Sequence, residues 1–137
     1  MNKQIKYRAG YKYQLAEDYI IETGILGYNI DTEYIKLTPS GTLTIKEGYA
    51  WDGCSGPTKD DKTNMRGGLV HDSLYQLLRE GHLPEELRSV ADAMLQSICI
   101  EDGMNRFRAW YYFEGVDHLA LFAAKKGANP YPVLMAP

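Results

Sequence analysis

His71 and Tyr75 stand four residues apart in Leu69-Val70-His71-Asp72-Ser73-Leu74-Tyr75, and a further acid, Asp92, follows on the next stretch of helical pattern. The four-residue spacing puts the imidazole and the phenol on one face of a helix, one turn apart. A carboxylate against one imidazole nitrogen fixes the tautomer and stabilises the imidazolium, leaving the other nitrogen to take a proton from water. Asp92 can supply that carboxylate, which makes a dyad without a serine, and the Tyr75 phenol can donate to the same acid. Asp72 is turned about 100° from His71 around the helix. With Asp52 and the backbone carbonyls of Gly53 to Gly56, in the loop Trp51-Asp52-Gly53-Cys54-Ser55-Gly56-Pro57, it offers hard oxygen ligands suited to calcium rather than zinc. A cation held there would polarise a substrate carbonyl.

Such a site needs two helices side by side. The turn at residues 81 to 84 lies about ten residues beyond His71, and Asp92 about nine beyond the turn, so the chain climbs ~15 Å and returns ~13 Å. An antiparallel hairpin would therefore bring Asp92 level with His71. The first helix is expected from a cap at Thr63 or Asn64, through Leu69, Val70, Leu74, Leu77 and Leu78, to Gly81. Pro84, Glu85 and Glu86 have the composition of a first turn. The second helix carries Leu87, Val90, Ala91, Met94, Leu95 and Ile98 and stops near Gly103. A third, Asn105 to about Lys126, presents Phe107, Trp110, Tyr111, Leu119, Phe122 and Ala123 as its apolar side and ends at Gly127. The cluster Trp110-Tyr111-Tyr112-Phe113 is most simply core.

Up to Ala50 the pattern is instead that of short strands: Lys3 to Arg8, Tyr13 to Leu15, Tyr19 to Ile21, Tyr34 to Thr38 and Thr42 to Lys46. Pro39-Ser40-Gly41 reads as a tight hairpin turn, Gly24 to Gly27 as a loop or bulge, and Leu43 and Ile45 share one face of a half-buried strand. The expected fold class is α+β, a small N-terminal antiparallel sheet followed by three helices, the first two forming an antiparallel hairpin. The tail Asn129-Pro130-Tyr131-Pro132-Val133-Leu134-Met135-Ala136-Pro137 has three prolines, which rule out regular structure, and enough apolar residues to dock on its own domain or a partner.

The chain of 137 residues is expected to form one domain, β-rich over residues 1–50, with a glycine-rich loop over 51–63, a helical region over 64–127 and the tail at 128–137. A formal net charge of −3, without long runs of like charge, argues against a nucleic-acid partner or a polybasic membrane patch. No stretch approaches the ~20 apolar residues of a membrane span, and the start lacks a signal-peptide core, so synthesis in the cytoplasm is expected. Cys54 and Cys99 show no metal-type spacing and are expected to be reduced.

The order Asp-Gly-Cys-Ser, then His-Asp-x-x-Tyr, then an Asp further on, resembles the phospholipase A2 site, in particular that of the short secreted bacterial and fungal enzymes. The resemblance implies His71 as the base that activates water, Asp92 as its partner, Tyr75 as a support, and Asp72 and Asp52 with the Gly53 loop as calcium ligands. It spans Trp51 to Ile98 and departs at Gly68, where the secreted enzymes carry a disulfide-bonded cysteine three residues before the histidine. Over a longer span the chain resembles an uncharacterised family encoded by phages and prophages, with the segments W-D-G-x-S-G-P, H-D-x-L-Y and A-D. That resemblance implies a phage setting without an established activity, and leaves open whether the protein is a virion component or an accessory protein.

The same residues admit plainer roles. His71 can be a core histidine, Asp92 can pair with Arg88 four residues earlier on an exposed face, and the Trp51 to Pro57 loop can be only a connection. Asp60 and Asp61 are expected to be solvated, though either could replace Asp52 as a ligand. His82 and His118 are expected to be structural or solvent-facing. No histidine precedes His71, which excludes the metal-dependent phosphohydrolases with an H…HD…D signature. Two functions are therefore carried forward: a calcium-assisted ester (lipid) hydrolase, and a non-catalytic phage structural or accessory protein that uses its helix hairpin, aromatic surface and tail to contact phage or host proteins.

Overall fold

In the computed structural model, residues 4–8, 13–51 and 62–110 are described. The chain divides into two compact units, Met1–Gly53 and Cys54–Pro137. Among the described residues the first is all β. Its strands are β1 (Tyr7–Arg8), β2 (Tyr13–Leu15), β3 (Tyr19–Glu22), β4 (Ile30–Asp31), β5 (Ile35–Leu37), β6 (Thr42–Ile45) and β7 (Ala50–Trp51). They form two antiparallel sheets, of order β1-β2-β7 and β3-β6-β5-β4.

The larger sheet follows from residue alternation. Tyr19 and Ile21 of β3, Ile35 and Leu37 of β5 and Leu43 and Ile45 of β6 all point to one face and are buried, while Ile20 between them is half exposed. The register sets Ile21 opposite Leu43 and Leu43 opposite Leu37, so the apolar side chains meet across the ladder. Each such side chain taken wholly out of water contributes about 1.5–3 kcal/mol. The strand expected over Tyr34 to Thr38 is shorter because Thr38 already belongs to the turn: its carbonyl accepts from the Gly41 amide at 2.9 Å. Gly41 has φ 93°, and a Cβ there would stand 3.2 Å from the Gly24 nitrogen, so the turn requires glycine on both counts. Two strands lie outside the sequence expectation, β4 and β7, each of two residues, too short to show a period. Residues 4–6 of the expected first strand lie outside β1.

The second unit, among the described residues, holds three helices: α1 (Met65–Arg79), α2 (Arg88–Glu101) and α3, described over 106–110. A 3-10 turn at Glu85–Leu87 leads into α2, with Pro84 in the extended conformation at its cap, so the first turn is tighter than the expected α-helical one. Both long helices end in the same closure. The amides of Gly81 and His82 donate to the carbonyls of Leu78 and Leu77, and those of Gly103 and Met104 to Ile100 and Cys99, with both glycines at positive φ. Asn105 caps α3 through its side-chain oxygen, which accepts from the amides of Phe107 (2.8 Å) and Arg108 (3.2 Å).

α1 and α2 pack closely because Gly67 leaves room for it. A Cβ at that position would meet Cys99 Sγ at 2.9 Å and Leu95 Cδ1 at 3.2 Å. Leu95 and Cys99 continue into a small core with Met104 and Ala109. The apolar side expected of α3 is corrected at its first turn: Phe107 is 74% exposed and Trp110 52%, their rings 6.1 Å apart. The Asn105 cap sets the phase of the helix so that Ala109, and not the aromatics, faces inward. Residues 111–137, including Tyr111, Leu119, Phe122, Ala123, His118 and the tail, lie outside the described residues. Among the described residues no helix is long and apolar enough to cross a membrane.

Candidate functional site

Two helices joined by a tight turn put their equivalent levels side by side, and the level that matters is the middle one. His71 and Tyr75, one turn apart on α1, face Asp92 on α2. His71 Nε2 lies 2.8 Å from Asp92 Oδ1, and the Tyr75 hydroxyl donates to the same oxygen at 2.7 Å. The counting of helical rise from the sequence predicts this alignment. Asp92 is wholly buried, and the side chain of His71 is 6% exposed. The imidazole and phenol rings are 4.2 Å apart, centre to centre, and tilted by 34°.

The other Asp92 oxygen, Oδ2, faces Arg88 Nη1 at 3.4 Å. The sequence offered Arg88 and His71 as rival partners for Asp92, with the Arg88 pair on an exposed face. Both partners are engaged, one on each oxygen, and the acid is interior. Three donors around a buried acid are what an ionised carboxylate needs in place of water. A carboxylate only accepts hydrogen bonds, so Nε2 of His71 carries its proton and Nδ1 is the basic nitrogen. Among the described residues Nδ1 has no hydrogen-bond partner. Burial, and then the hydrogen bond to Asp92, push the Tyr75 hydroxyl well above the usual phenol range, so it remains a neutral donor.

The remaining expected site residues are distributed as follows. Asp72 is half-buried on α1, next to His71. Asp52, Gly53, Cys54, Asp60 and Asp61 lie outside the described residues. Of the expected calcium ligands the described chain therefore contributes one, and among the described residues no three His, Cys, Asp or Glu side chains cluster so as to hold a metal ion. Cys99 is a buried thiol on α2. His82 sits in the exposed inter-helix turn, 3.7 Å from Glu80, as its position between the helices implies.

One constellation lies outside the sequence expectation. Arg66, in the first turn of α1, is buried and reaches the end of α2. Its Nε and Nη2 donate to the two oxygens of Asp102 at 3.0 and 2.9 Å, and Nη2 also contacts Glu101. This bidentate fork fastens the open end of the hairpin just as the turn closes the other, so the His71–Asp92 level is held from both sides. The same count of rise that aligns His71 with Asp92 puts Arg66 level with about residue 97, so the 101–102 acids lie roughly one turn further on and only the length of the arginine side chain reaches them.

Compared with protein-family models, with curated proteins and with solved structures, the chain has no significant match.

Proposed function

We propose that the second unit carries a water-activating His/Asp site and that the protein is a phage-type, phospholipase A2-like hydrolase of lipid esters. The observation that carries this is the shared Asp92 Oδ1, which accepts from both His71 and Tyr75 inside a hairpin that leaves Nδ1 of the imidazole without a partner among the described residues. In this reading Nδ1 takes a proton from a water molecule as the water oxygen bonds to the ester carbonyl carbon. Asp92 stabilises the imidazolium so formed, and His71 returns the proton to the leaving alkoxide when the carbon–oxygen bond breaks. Tyr75 stays protonated throughout and keeps the carboxylate aimed. Calcium, which would polarise the carbonyl when bound, enters the proposal through Asp72. The phage setting rests on the sequence segments alone.

A second reading has its own observation. Phe107 and Trp110 are exposed side by side at the start of α3, as in a protein that contacts phage or host proteins without catalysis. The experiment that separates the two is release of fatty acid from phospholipid vesicles with calcium present, run on the full chain and on His71→Ala, alongside a calcium titration followed by tryptophan fluorescence. The hydrolase reading expects release by the wild type, loss of it in a folded His71→Ala protein, and a calcium-dependent fluorescence change. Absence of release with a flat calcium titration leaves the non-catalytic reading.

A further inference from the structure

The hairpin brings two pairs of residues with the same four-residue spacing against each other, His71 and Tyr75 from α1, Arg88 and Asp92 from α2. Only three of the four are needed for the dyad and its phenol support. The fourth sits where it controls a degree of freedom the others leave open. Both α1 donors converge on Oδ1, and a single oxygen held by two bonds does not fix the plane of the carboxyl group, because rotation about its last side-chain bond is soft. Arg88 holds the opposite oxygen: Nη1 is 3.4 Å from Oδ2, and the arginine side chain is itself mostly covered, 20% exposed. Its Nε stands 3.9 Å from Glu85 in the 3-10 turn. The turn, the guanidinium and the carboxylate thus form one chain of contacts leading into the site.

We propose that Arg88 is a positioning residue, which locks the carboxylate plane of Asp92 so that Oδ1 stays on the imidazole Nε2–H. Arg88 holds the Oδ2 side of the carboxylate and also stands beside the Tyr75 hydroxyl, so it acts on the imidazole through Asp92 and its phenol support. Among the described residues, the charged and titratable groups facing the carboxylate include His71 and Tyr75 from α1 and Arg88 from α2, with Glu85 beyond the guanidinium. This role goes beyond the hydrolase reading and is tested without turnover.

The test is proton NMR of the His71 Nε2–H in the intact chain. A ring N–H held by a carboxylate gives a downfield signal that survives exchange with water. Arg88→Met, which keeps the aliphatic stem and removes the donors, is expected to broaden that signal into the solvent exchange regime, while Arg88→Lys, which keeps a cationic donor, restores it. A folded Arg88→Met protein with an unchanged Nε2–H signal overturns the proposal. Should Arg88→Met fail to fold, the wild type decides: a guanidinium locked on Asp92 shows resolved, slowly exchanging Nη protons, and averaged signals at Arg88 count against the role. If the vesicle assay also gives turnover, Arg88→Met is expected to lower kcat by on the order of 10-fold with KM unchanged. An intact Arg88 effect on the signal in a protein that hydrolyses nothing would sink the hydrolase reading and leave this one standing.

Discussion

Replacing Asp92 by alanine tests whether the acid is the centre of a buried polar cluster or one half of a surface pair. The substitution orphans the His71 Nε2–H and the Tyr75 hydroxyl, now 2.8 and 2.7 Å from the same oxygen, and removes a partner of Arg88. Each neutral buried donor left without an acceptor costs about 1–3 kcal/mol. The guanidinium, 20% exposed, recovers part of its loss from water, so its share is discounted. The sum is about 3–5 kcal/mol, the range for breaking a buried ionic cluster from one side. Asp92→Asn keeps an acceptor for His71 and Tyr75 and turns an amide N–H₂ toward Arg88, so it is expected to cost less, about 1–2 kcal/mol, mainly the charge-assisted bond. Urea denaturation followed by helical circular dichroism measures both. A stability of Asp92→Ala within about 0.5 kcal/mol of wild type, the scatter of ordinary surface substitutions, would refute the reasoning.

Three other outcomes are expected. Gly67→Ala gains up to about 1 kcal/mol of helix propensity but forces Cβ against Cys99 Sγ, so it is expected to destabilise by about 1–2 kcal/mol net, and Cys99→Ala in the same chain to recover most of that; a more stable single variant in chemical denaturation would contradict the close packing. The folded-state pKa of Tyr75 is raised above the ordinary phenol value of 10.0, so the unfolded chain ionises first: this group's contribution is intact below pH 10.0 and declines as pH rises beyond it. Tyr75→Phe should therefore show a shallower loss of stability above that pH than the wild type, and equal slopes would remove the phenol from the buried cluster. Arg66→Met should loosen the open end of the hairpin, read as faster hydrogen exchange of the amides of residues 98–102, and unchanged exchange would show that the fork to Asp102 holds nothing.

Much of this architecture can be read from residue order because it is periodic and local. Leu43 and Ile45 declare the buried face of β6 by alternation, and Gly81 and Gly103 mark both helix ends by the closures they permit. The alignment of His71 with Asp92 needs only the helical rise on either side of one turn. What stays hidden is non-local or depends on phase. β4 and β7 are two-residue segments whose status as strands comes entirely from partners, Leu37 and Lys36 for one and Tyr13 and Gln14 for the other. Arg66, beside two glycines, carries no mark of an interior residue until the 101–102 acids arrive from the other end of the hairpin. Phe107 and Trp110 look like core in any composition count. Their exposure is settled by where Asn105 starts the helix, a matter of angle and not of residue type.

The three-stranded sheet also orders events during synthesis. β2 lies between β1, its near neighbour in sequence, and β7, with Tyr13 opposite Trp51 and their rings 5.7 Å apart. A nascent chain can zip the larger sheet and its Thr38–Gly41 turn while Trp51 is still inside the ribosome, but it must hold the Tyr13 edge unsatisfied until translation has delivered that tryptophan. Long-range pairings of this kind close late, and the strand left waiting is the one through which a crowded ribosome would let two copies stick together.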